Sequence, residues 1–472
     1  MVALVKTGRA ARARLAELAL PEFGMPEATP ELPPALYAGR VERLRERAAG
    51  HGYDRLVVYA DREHSANMAY LTGFDPRFEE ALLVLGPADQ PLLLVGNECW
   101  GMAGSAPLPM RRELFQDLSL PSQPRDRSRG LRDIMGDEGV GPGSRVGLIG
   151  WKTYAEPWMS DVPAYLVDSL REAAGPGGSV ENATALLIDA ADGLRVVNEV
   201  EQLAAMEAAA CRTSQGVRRL LFALAPALEA GLLTEREAVK FLQWDGTPLS
   251  CHLMLTAGPR ATLGLLSPGD RPIERGDRFT TAFGIWGALN CRAGFVVADE
   301  SELPEGIGDY VDRLVGPYFE AVAEWYGALR VGQTGGVLQE IVDRHLGDPF
   351  FGIFLNPGHQ IGQDEWVNSP IWPGSTVELR SGTAMQVDII PATGTEYFTT
   401  NIEDGIALAD EVLRSELAAR YPGAWARIQA RRRFMAEALG IELHPDVLPL
   451  SNIPAYLPPF LLRPQRAMTL AA

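Results

Sequence analysis

The first third of the chain alternates amphipathic stretches with short apolar runs. Residues 36–49 place apolar side chains at close to helical spacing with arginines between them, and residues 55–59 (RLVVY) are almost entirely apolar. This pattern predicts a helix that leads into a buried strand. Further strands are predicted at 81–86, 91–95 and 145–149. Strands separated by helices and loops in this way indicate an α/β domain, which we place at residues 1–190.

A second pattern begins near Asn198. Asn198 with Glu201, and again Thr234 with Glu237, have the spacing of a capping box ahead of a helical stretch. Two helices are therefore predicted to open a second domain, which we place at residues 191–432. Strands are predicted at 251–256, 278–286, 384–390 and 396–409, the last two as a pair, and a long helix at 307–329.

The two ends of the chain have patterns of their own. Residues 433–472 include HPDVLPLSNIPAYLPPFLL, which is too rich in proline for a helix and too apolar for a free linker. We expect this tail to pack on the body of the protein or on a partner subunit. Residues 1–20 are basic without a sustained apolar run, which predicts a short amphipathic helix or a loose arm rather than a signal peptide.

Composition and charge exclude several classes of protein. The chain has 472 residues, with 43 lysines and arginines against 61 acidic residues, giving a net charge of −18. Such a surface repels nucleic acid and anionic lipid, and no apolar run is long enough to span a membrane. The four cysteines show no C-x-x-C spacing, so neither a zinc ribbon nor a disulfide scaffold is indicated. We predict a cytoplasmic protein that binds neither nucleic acid nor membranes.

Six segments of the chain resemble the creatinase and aminopeptidase P (prolidase-like) superfamily, in the family's order. They are YADREHSANMAYLTGF (59–74), NEVEQLAAMEAA (198–209), SPGDRPIERGDRF (267–279), NPGHQIG (356–362), AMQVDIIP (384–391) and TTNIEDGIAL (399–408). The resemblance implies an α/β (α+β) protein. A creatinase-type N-terminal domain would be followed by a pita-bread catalytic domain, in a homodimer whose N-terminal domain contributes to the neighbouring cleft.

The resemblance also implies where metal ligands would lie. Metallopeptidases of this family hold two metal ions with two hairpin aspartates, a histidine from a Gly-His loop and two late glutamates. In this chain Ala282 replaces the first aspartate, and the second position offers only Asn290 or Cys291. Hard divalent cations need several anionic ligands. We therefore expect no metal cofactor, as in creatinase itself, with one divalent ion such as Mn or Co as the alternative.

Three residues keep the family's positions and are the candidate catalytic residues: His359, Asp388 and Glu403. The same three are the candidate ligands if a metal is bound. His359 is the leading acid/base candidate because imidazole titrates near neutral pH, with a purely loop-shaping role as the alternative. Asp388 lies in an apolar strand and must be paired, hydrogen-bonded or protonated. For Glu403 the alternative to a catalytic role is that it forms, with its neighbour Asp404, a hairpin turn whose charges are solvated.

Five further residues are candidates for substrate binding: Arg292, Trp366, Arg77, Phe78 and His252. Arg292 corresponds to an arginine after the family's hairpin, although a salt bridge would explain it equally well. Trp366 replaces the family's second histidine and could stack on a planar or cationic substrate, or simply pack. Arg77 and Phe78 fall where creatinase-like dimers reach into the neighbouring cleft. His252 could supply a missing creatinase histidine or be a buried structural residue.

These residues lead to three hypotheses for function. The first is a creatinase-like, metal-independent hydrolase, or less favoured a lyase, that acts on a C–N bond of a small zwitterionic amidine, ureido acid or cyclic amide. The alternative is a metal-dependent Xaa-Pro aminopeptidase or dipeptidase with an atypical metal site built from His359, Asp388 and Glu403, with Asp364 as an optional further ligand. A second alternative is a non-catalytic binding protein that retains the fold. Asp364 and Glu365 either orient the Gly-His loop or add negative charge to the cleft.

Overall fold

A computed structural model describes residues 12–471 of the chain. It divides into two compact units, one formed by residues 31–196 and one that combines residues up to Pro30 with those from Val197 onwards. Strand β1 (Arg14–Glu17) belongs to the second of these units. The helix or loose arm predicted for residues 1–20 is therefore wrong where it can be checked, and residues 1–11 lie outside the described part.

The smaller unit is built on a six-stranded sheet in the order β5-β4-β3-β2-β6-β7. Its strands are β2 (Arg55–Ala60), β3 (Ala81–Leu85), β4 (Leu92–Val95), β5 (Arg111–Leu114), β6 (Arg145–Ile149) and β7 (Ser179–Asn182). Its helices are α1 (Pro34–Gly50), α2 (Ala66–Thr72), α3 (Cys99–Met102), α4 (Leu131–Asp137), α5 (Ala164–Ala174) and α6 (Ala185–Ile188). The central strands are buried along nearly their whole length, as their continuous apolar runs predicted.

The larger unit contains a seven-stranded sheet whose main path is β11-β12-β13-β10-β9-β8, with β14 also paired to β13. Its strands are β8 (Met254–Ala257), β9 (Arg278–Ile285), β10 (Ala288–Phe295), β11 (His359–Gln360), β12 (Ala384–Asp388), β13 (Asn401–Leu408) and β14 (Val447–Pro449). All neighbours in it are antiparallel. The pairing predicted between the last two long strands is confirmed by β12 and β13.

The larger unit also contains helices. They are α7 (Val200–Ala230), α8 (Glu235–Ala238), α9 (Gly316–Ala328), α10 (Gly335–Leu346), α11 (Glu411–Arg420) and α12 (Pro422–Glu437). The capping box of Thr234 and Glu237 is confirmed at the start of α8. The box predicted at Asn198 is wrong, because α7 begins after Glu199 and the Asn198 amide donates instead to the Gly382 carbonyl.

The tail beyond α12 packs on the body of the larger unit. Strand β15 (Arg466–Thr469) pairs with β1, and the apolar tail side chains Ile453, Tyr456 and Phe460 are fully buried. The two compact units differ in one way from the predicted domains, which were 1–190, 191–432 and 433–472. The pairing of β1 with β15 places both chain ends in the larger unit. In the described part of the chain, no helix combines the length and apolar character that crossing a membrane requires.

Candidate metal centre

Backbone pairing lines up four residues across the sheet of the larger unit. Cys291 on β10 lies opposite Ala282 on β9 and opposite Glu403 on β13, and Glu403 lies opposite Asp388 on β12. Residues directly opposite each other in a sheet point to the same face. Register therefore brings two of the three candidate catalytic residues together, with the replaced hairpin positions beside them.

His359 reaches the same face from the edge strand β11, where it pairs with Gln386, two residues before Asp388. The residue before it is Gly358, whose φ of +133° is a conformation that favours glycine. A Cβ there would lie 2.9 Å from both the Gln386 carbonyl oxygen and a carbon of the Trp325 ring. A larger residue would displace the loop, so the Gly-His pair places the imidazole.

The His359 imidazole is surrounded by carboxylates. Its Nε2 atom lies 3.2 Å from Glu365 Oε1, 3.4 Å from Glu403 Oε1 and 3.9 Å from Asp388 Oδ2. His359, Asp388 and Glu403 are all buried, whereas the Glu365 side chain is 26% exposed. The second Asp388 oxygen, Oδ1, is buried without a hydrogen-bond partner. The contact of Glu365 with His359 was not predicted from the sequence.

Electrostatics of this cluster favour added positive charge. Burial raises the pKa of Asp388 well above its ordinary value and nearby Glu403 raises it further, while His359 opposes the effect. Burial likewise raises the pKa of Glu403. Burial alone would lower the pKa of His359, but its contacts with Glu365 and Glu403 outweigh this and raise it well above its ordinary value. The cluster therefore holds protons tightly or binds a cation in their place.

Two thiols adjoin the cluster, and neither was singled out as a site residue from the sequence. Cys291 Sγ donates to Glu403 Oε2 at 2.6 Å. Cys251, in the loop before β8, is close enough to Glu365 and Glu403 that their charges add to the effect of burial and raise its pKa to about 12. Both cysteines are free thiols. The sequence left Asn290 and Cys291 as alternatives for one hairpin position. Strand pairing shows that Cys291 is the residue opposite Ala282 and Glu403.

Arg292 lies on the opposite face of the sheet, so the structure does not bring it to the site. Its Nη2 donates to Asp404 Oδ2 at 2.7 Å and to the Ile453 carbonyl at 2.6 Å. Its Nε donates to the Tyr456 carbonyl at 2.8 Å. Asp404 is buried in strand β13 beside Glu403, so the alternative of a solvated hairpin turn is wrong. Side chains of neighbouring strand residues point to opposite faces of a sheet. Because Arg292 directly follows Cys291, its side chain lies on the face away from the cluster.

The remaining predicted binding residues lie in different places. Trp366 stacks on His359, with ring centroids 4.2 Å apart and planes inclined by 15°. His252 is exposed in the loop before β8, so it is not a buried structural residue. Arg77 and Phe78 belong to the smaller unit, where Arg77 pairs with Asp75 and Phe78, 53% exposed, lines a cavity of about 520 Å³. Their reach into a neighbouring subunit stays a prediction.

Comparisons with known proteins agree with this architecture. Residues 40–197 match the family model of the Creatinase/Prolidase N-terminal domain. Similar solved structures include the prolidase from Pyrococcus horikoshii OT3, with a TM-score of 0.59 and 15% identity over 79% of this chain and 95% of that one. The dipeptidase PepE from Mycobacterium ulcerans has a TM-score of 0.59 and 17% identity over 80% of this chain and 95% of that one. The Xaa-Pro dipeptidase from Bacillus anthracis has a TM-score of 0.58 and 14% identity over 79% of this chain and 96% of that one. No curated protein matches the sequence.

These matches define the fold. The chain has the α/β fold of these prolidase-like structures, with a Creatinase/Prolidase N-terminal domain matched at residues 40–197 and followed by a domain of the pita-bread type. The six segments quoted above predicted this fold, and it is confirmed. At 14–17% identity the structural likeness concerns the fold.

The expectation of a site without a metal cofactor is wrong. His359, Asp388 and Glu403 each offer one ligand atom, and these atoms all lie within 4.8 Å of one another, in a chain with the fold of the prolidases. The expectation was based on the two aspartates that are missing from the hairpin. The sequence does not show how closely the three remaining side chains converge, because the distances between them depend on strand pairing rather than on sequence spacing.

Proposed function

We propose that this protein is a metal-dependent hydrolase of short peptides of the Xaa-Pro type, with a single-ion site formed by His359, Asp388 and Glu403. The observation that carries the proposal is the convergence of three ligand atoms within 4.8 Å, one of them on the Asp388 carboxylate, which has an oxygen that is buried without a hydrogen bond. An orphaned carboxylate oxygen in a buried site needs a cation or a proton.

The ligand types fit a divalent ion. One imidazole and two carboxylates form a set that Mn, Co and Zn all accept in proteins. His359 Nδ1 lies 3.3 Å from the Gln360 carbonyl, so a neutral imidazole that carries its proton on Nδ1 could donate it there and turn the Nε2 lone pair to the ion. Such a hydrogen bond fixes the tautomer and the ring orientation of a metal-binding histidine.

The site is built for a single ion. The position of the family's first hairpin aspartate is Ala282, whose methyl group cannot bind a cation, and Cys291 lies directly opposite it on the neighbouring strand. An ion bound to the three remaining ligands supplies Lewis acidity, which polarises a carbonyl group and acidifies water.

Glu365 is the residue we assign to proton transfer. It lies within hydrogen-bonding distance of His359 and is the most exposed carboxylate of the cluster, so it can exchange protons with solvent while Asp388 and Glu403 are shielded. A partly exposed carboxylate beside a reacting bond can accept a proton from water and return it to the leaving amine. Glu365→Gln should abolish turnover without abolishing ion binding, whereas neighbouring Asp364→Asn serves as its control.

The substrate class is supported by the structural neighbours, which are named as prolidases and Xaa-Pro dipeptidases. Their likeness in fold extends over more than three quarters of this chain. A prolyl peptide bond is a C–N bond in a small zwitterion, so this substrate also satisfies the broader prediction of C–N hydrolysis.

Metal reconstitution combined with a substrate panel tests the proposal. Protein stripped with a chelator is titrated with Mn²⁺, Co²⁺ and Zn²⁺ by calorimetry, and hydrolysis of Xaa-Pro dipeptides is compared with that of creatine-like amidines and cyclic amides. We expect one ion per chain, activity on Xaa-Pro dipeptides only after reconstitution, and loss of both in Asp388→Asn and Glu403→Gln.

Other outcomes would identify the alternatives. Failure of all three ions to bind would overturn the metal site. Ion binding with turnover of amidines instead of dipeptides would overturn the substrate class. Saturable binding of dipeptides without turnover in the reconstituted protein would identify a binding protein that retains the fold.

A further inference from the structure

Strand pairing defines a second row of side chains beside the candidate metal centre. Asn401 on β13 lies opposite Ala293 on β10, Ala293 lies opposite Thr280 on β9, and Thr280 lies opposite Thr256 on β8. Asn401 stands two residues before Glu403 on the same strand. Side chains two residues apart on a strand point to the same face of the sheet, about 6.6 Å from each other. This polar row therefore lies next to the metal centre and on the same face.

Two atoms of the polar row have unused capacity for hydrogen bonds. Asn401 Oδ1 and Thr256 Oγ1 are buried, and neither has a hydrogen-bond partner within residues 12–471. Asn401 is 6% exposed and Thr280 is half-buried, so the row can be reached from this face of the sheet. Leaving a buried polar atom unpaired is unfavourable. The row is therefore suited to a ligand that forms hydrogen bonds with it.

The polar row carries hydrogen-bonding groups but no charge. One amide and two hydroxyl groups can both donate and accept hydrogen bonds. Burying a charged group against them would require an opposite charge in the row, and its fourth member, Ala293, supplies only a methyl group. The adjacent carboxylates of Asp388 and Glu403 would also repel an anionic group. An uncharged polar side chain therefore fits the row best.

We propose that Asn401, Thr280 and Thr256 form a specificity subsite for an uncharged side chain that carries a carboxamide or hydroxyl group, on residue Xaa of an Xaa-Pro substrate. This inference rests on the proposed function. The proline ring is apolar and has no side-chain donor, so a polar row beside the reacting bond suits the variable residue. Asn401 and Thr280 lie about 10 Å apart across β10, and the methyl group of Ala293 between them leaves room for that side chain.

Two substrates of matched shape test the subsite on the full-length wild-type protein. Asparaginyl-proline and leucyl-proline have side chains of nearly the same shape, and only the first carries hydrogen-bonding groups. A site built to hydrogen-bond a substrate group rejects an analogue that lacks it. We expect the metal-reconstituted protein to hydrolyse asparaginyl-proline with a kcat/KM at least about tenfold above that of leucyl-proline. Lysyl-proline, whose side chain is charged, should be hydrolysed no faster than leucyl-proline.

Substitutions in the row and beside it provide matched variants. Asn401→Leu replaces the amide by an apolar group of similar shape and should reverse the preference in favour of leucyl-proline. Thr256→Val should reduce the preference for asparaginyl-proline. Thr281→Val is the control, because Thr281 adjoins Thr280 on β9 but its hydroxyl donates to the Met254 carbonyl at 3.3 Å. This control should keep the wild-type ratio of the two kcat/KM values.

Calorimetric binding of the same dipeptides to metal-stripped protein separates this inference from the proposed function. We expect asparaginyl-proline to bind more tightly than leucyl-proline. Equal kcat/KM values for these two substrates, or faster hydrolysis of lysyl-proline than of either, would overturn the subsite and leave the proposed function intact. Selective binding of asparaginyl-proline without turnover in the reconstituted protein would overturn the proposed function and support the subsite. Neither turnover nor selective binding would overturn both.

Discussion

The imidazole of His359 stacks on the indole of Trp366, with ring centroids 4.2 Å apart and ring planes inclined by 15°. The resemblance placed Trp366 at the family's second histidine, and in the structure its indole lies against the face of the His359 ring. Together with the Nδ1 contact to the Gln360 carbonyl, the stack holds Nε2 toward Asp388 and Glu403. The tryptophan at this position therefore orients the imidazole.

Trp366→Ala should weaken ion binding because the imidazole loses the surface that sets its plane. Groups that orient a metal-binding histidine contribute about 10–100-fold to affinity, and we expect about tenfold here. Trp366→Phe retains an aromatic face and should stay close to the wild-type affinity. Calorimetric titration with Zn²⁺ measures both. Equal affinities for the wild-type protein and Trp366→Ala would show that the stack does not orient His359.

Ion binding should stabilise the larger unit. A ligand at 100 times its dissociation constant adds about 2.7 kcal/mol to the free energy of unfolding. Thermal denaturation of the stripped protein with and without Zn²⁺ measures this effect. It should vanish in Asp388→Asn and Glu403→Gln but persist in Glu396→Gln, whose side chain is 72% exposed. A stabilisation that survives both ligand variants would place the ion elsewhere.

Arg292→Met should destabilise the protein by about 3–5 kcal/mol, because it leaves the buried Asp404 carboxylate without its cation. The double variant Arg292→Met with Asp404→Asn should recover part of this loss, since the remaining group is neutral. Urea denaturation measures both changes in the free energy of unfolding. If Arg292 instead served in substrate binding, Arg292→Met would raise the KM and leave the unfolding transition unchanged.

Phe460→Ala in the proline-rich tail should cost about 3–5 kcal/mol, because the ring is fully buried in the larger unit. Phe354→Ala is the matched control. That ring is 73% exposed, and its removal should change the free energy of unfolding by less than about 0.5 kcal/mol. Equal and small effects at both positions, measured by denaturant unfolding, would contradict the packing of the tail on the body.

Much of the fold was predictable because its signals are local. Continuous apolar runs such as those at 81–86 and 145–149 mark buried strands, and the strands β3 and β6 form there. The capping box at Thr234 was predictable for the same reason. The one at Asn198 was not, since its side chain finds a partner at Gly382, far away in the sequence. Strand β1 was missed because it exists only by pairing with β15.

From the sequence alone the fold class could be predicted and His359, Asp388 and Glu403 could be nominated, because the short segments around each of them resemble segments of a known family. Only the tertiary structure decided that these three converge, that the Cys291 thiol rather than the Asn290 amide contacts the Glu403 carboxylate, and that Arg292 faces away. The physical reason is the two-residue period of a strand, since a register shift of one residue would exchange the two faces of the sheet. Register depends on pairing between distant strands, which no local pattern specifies.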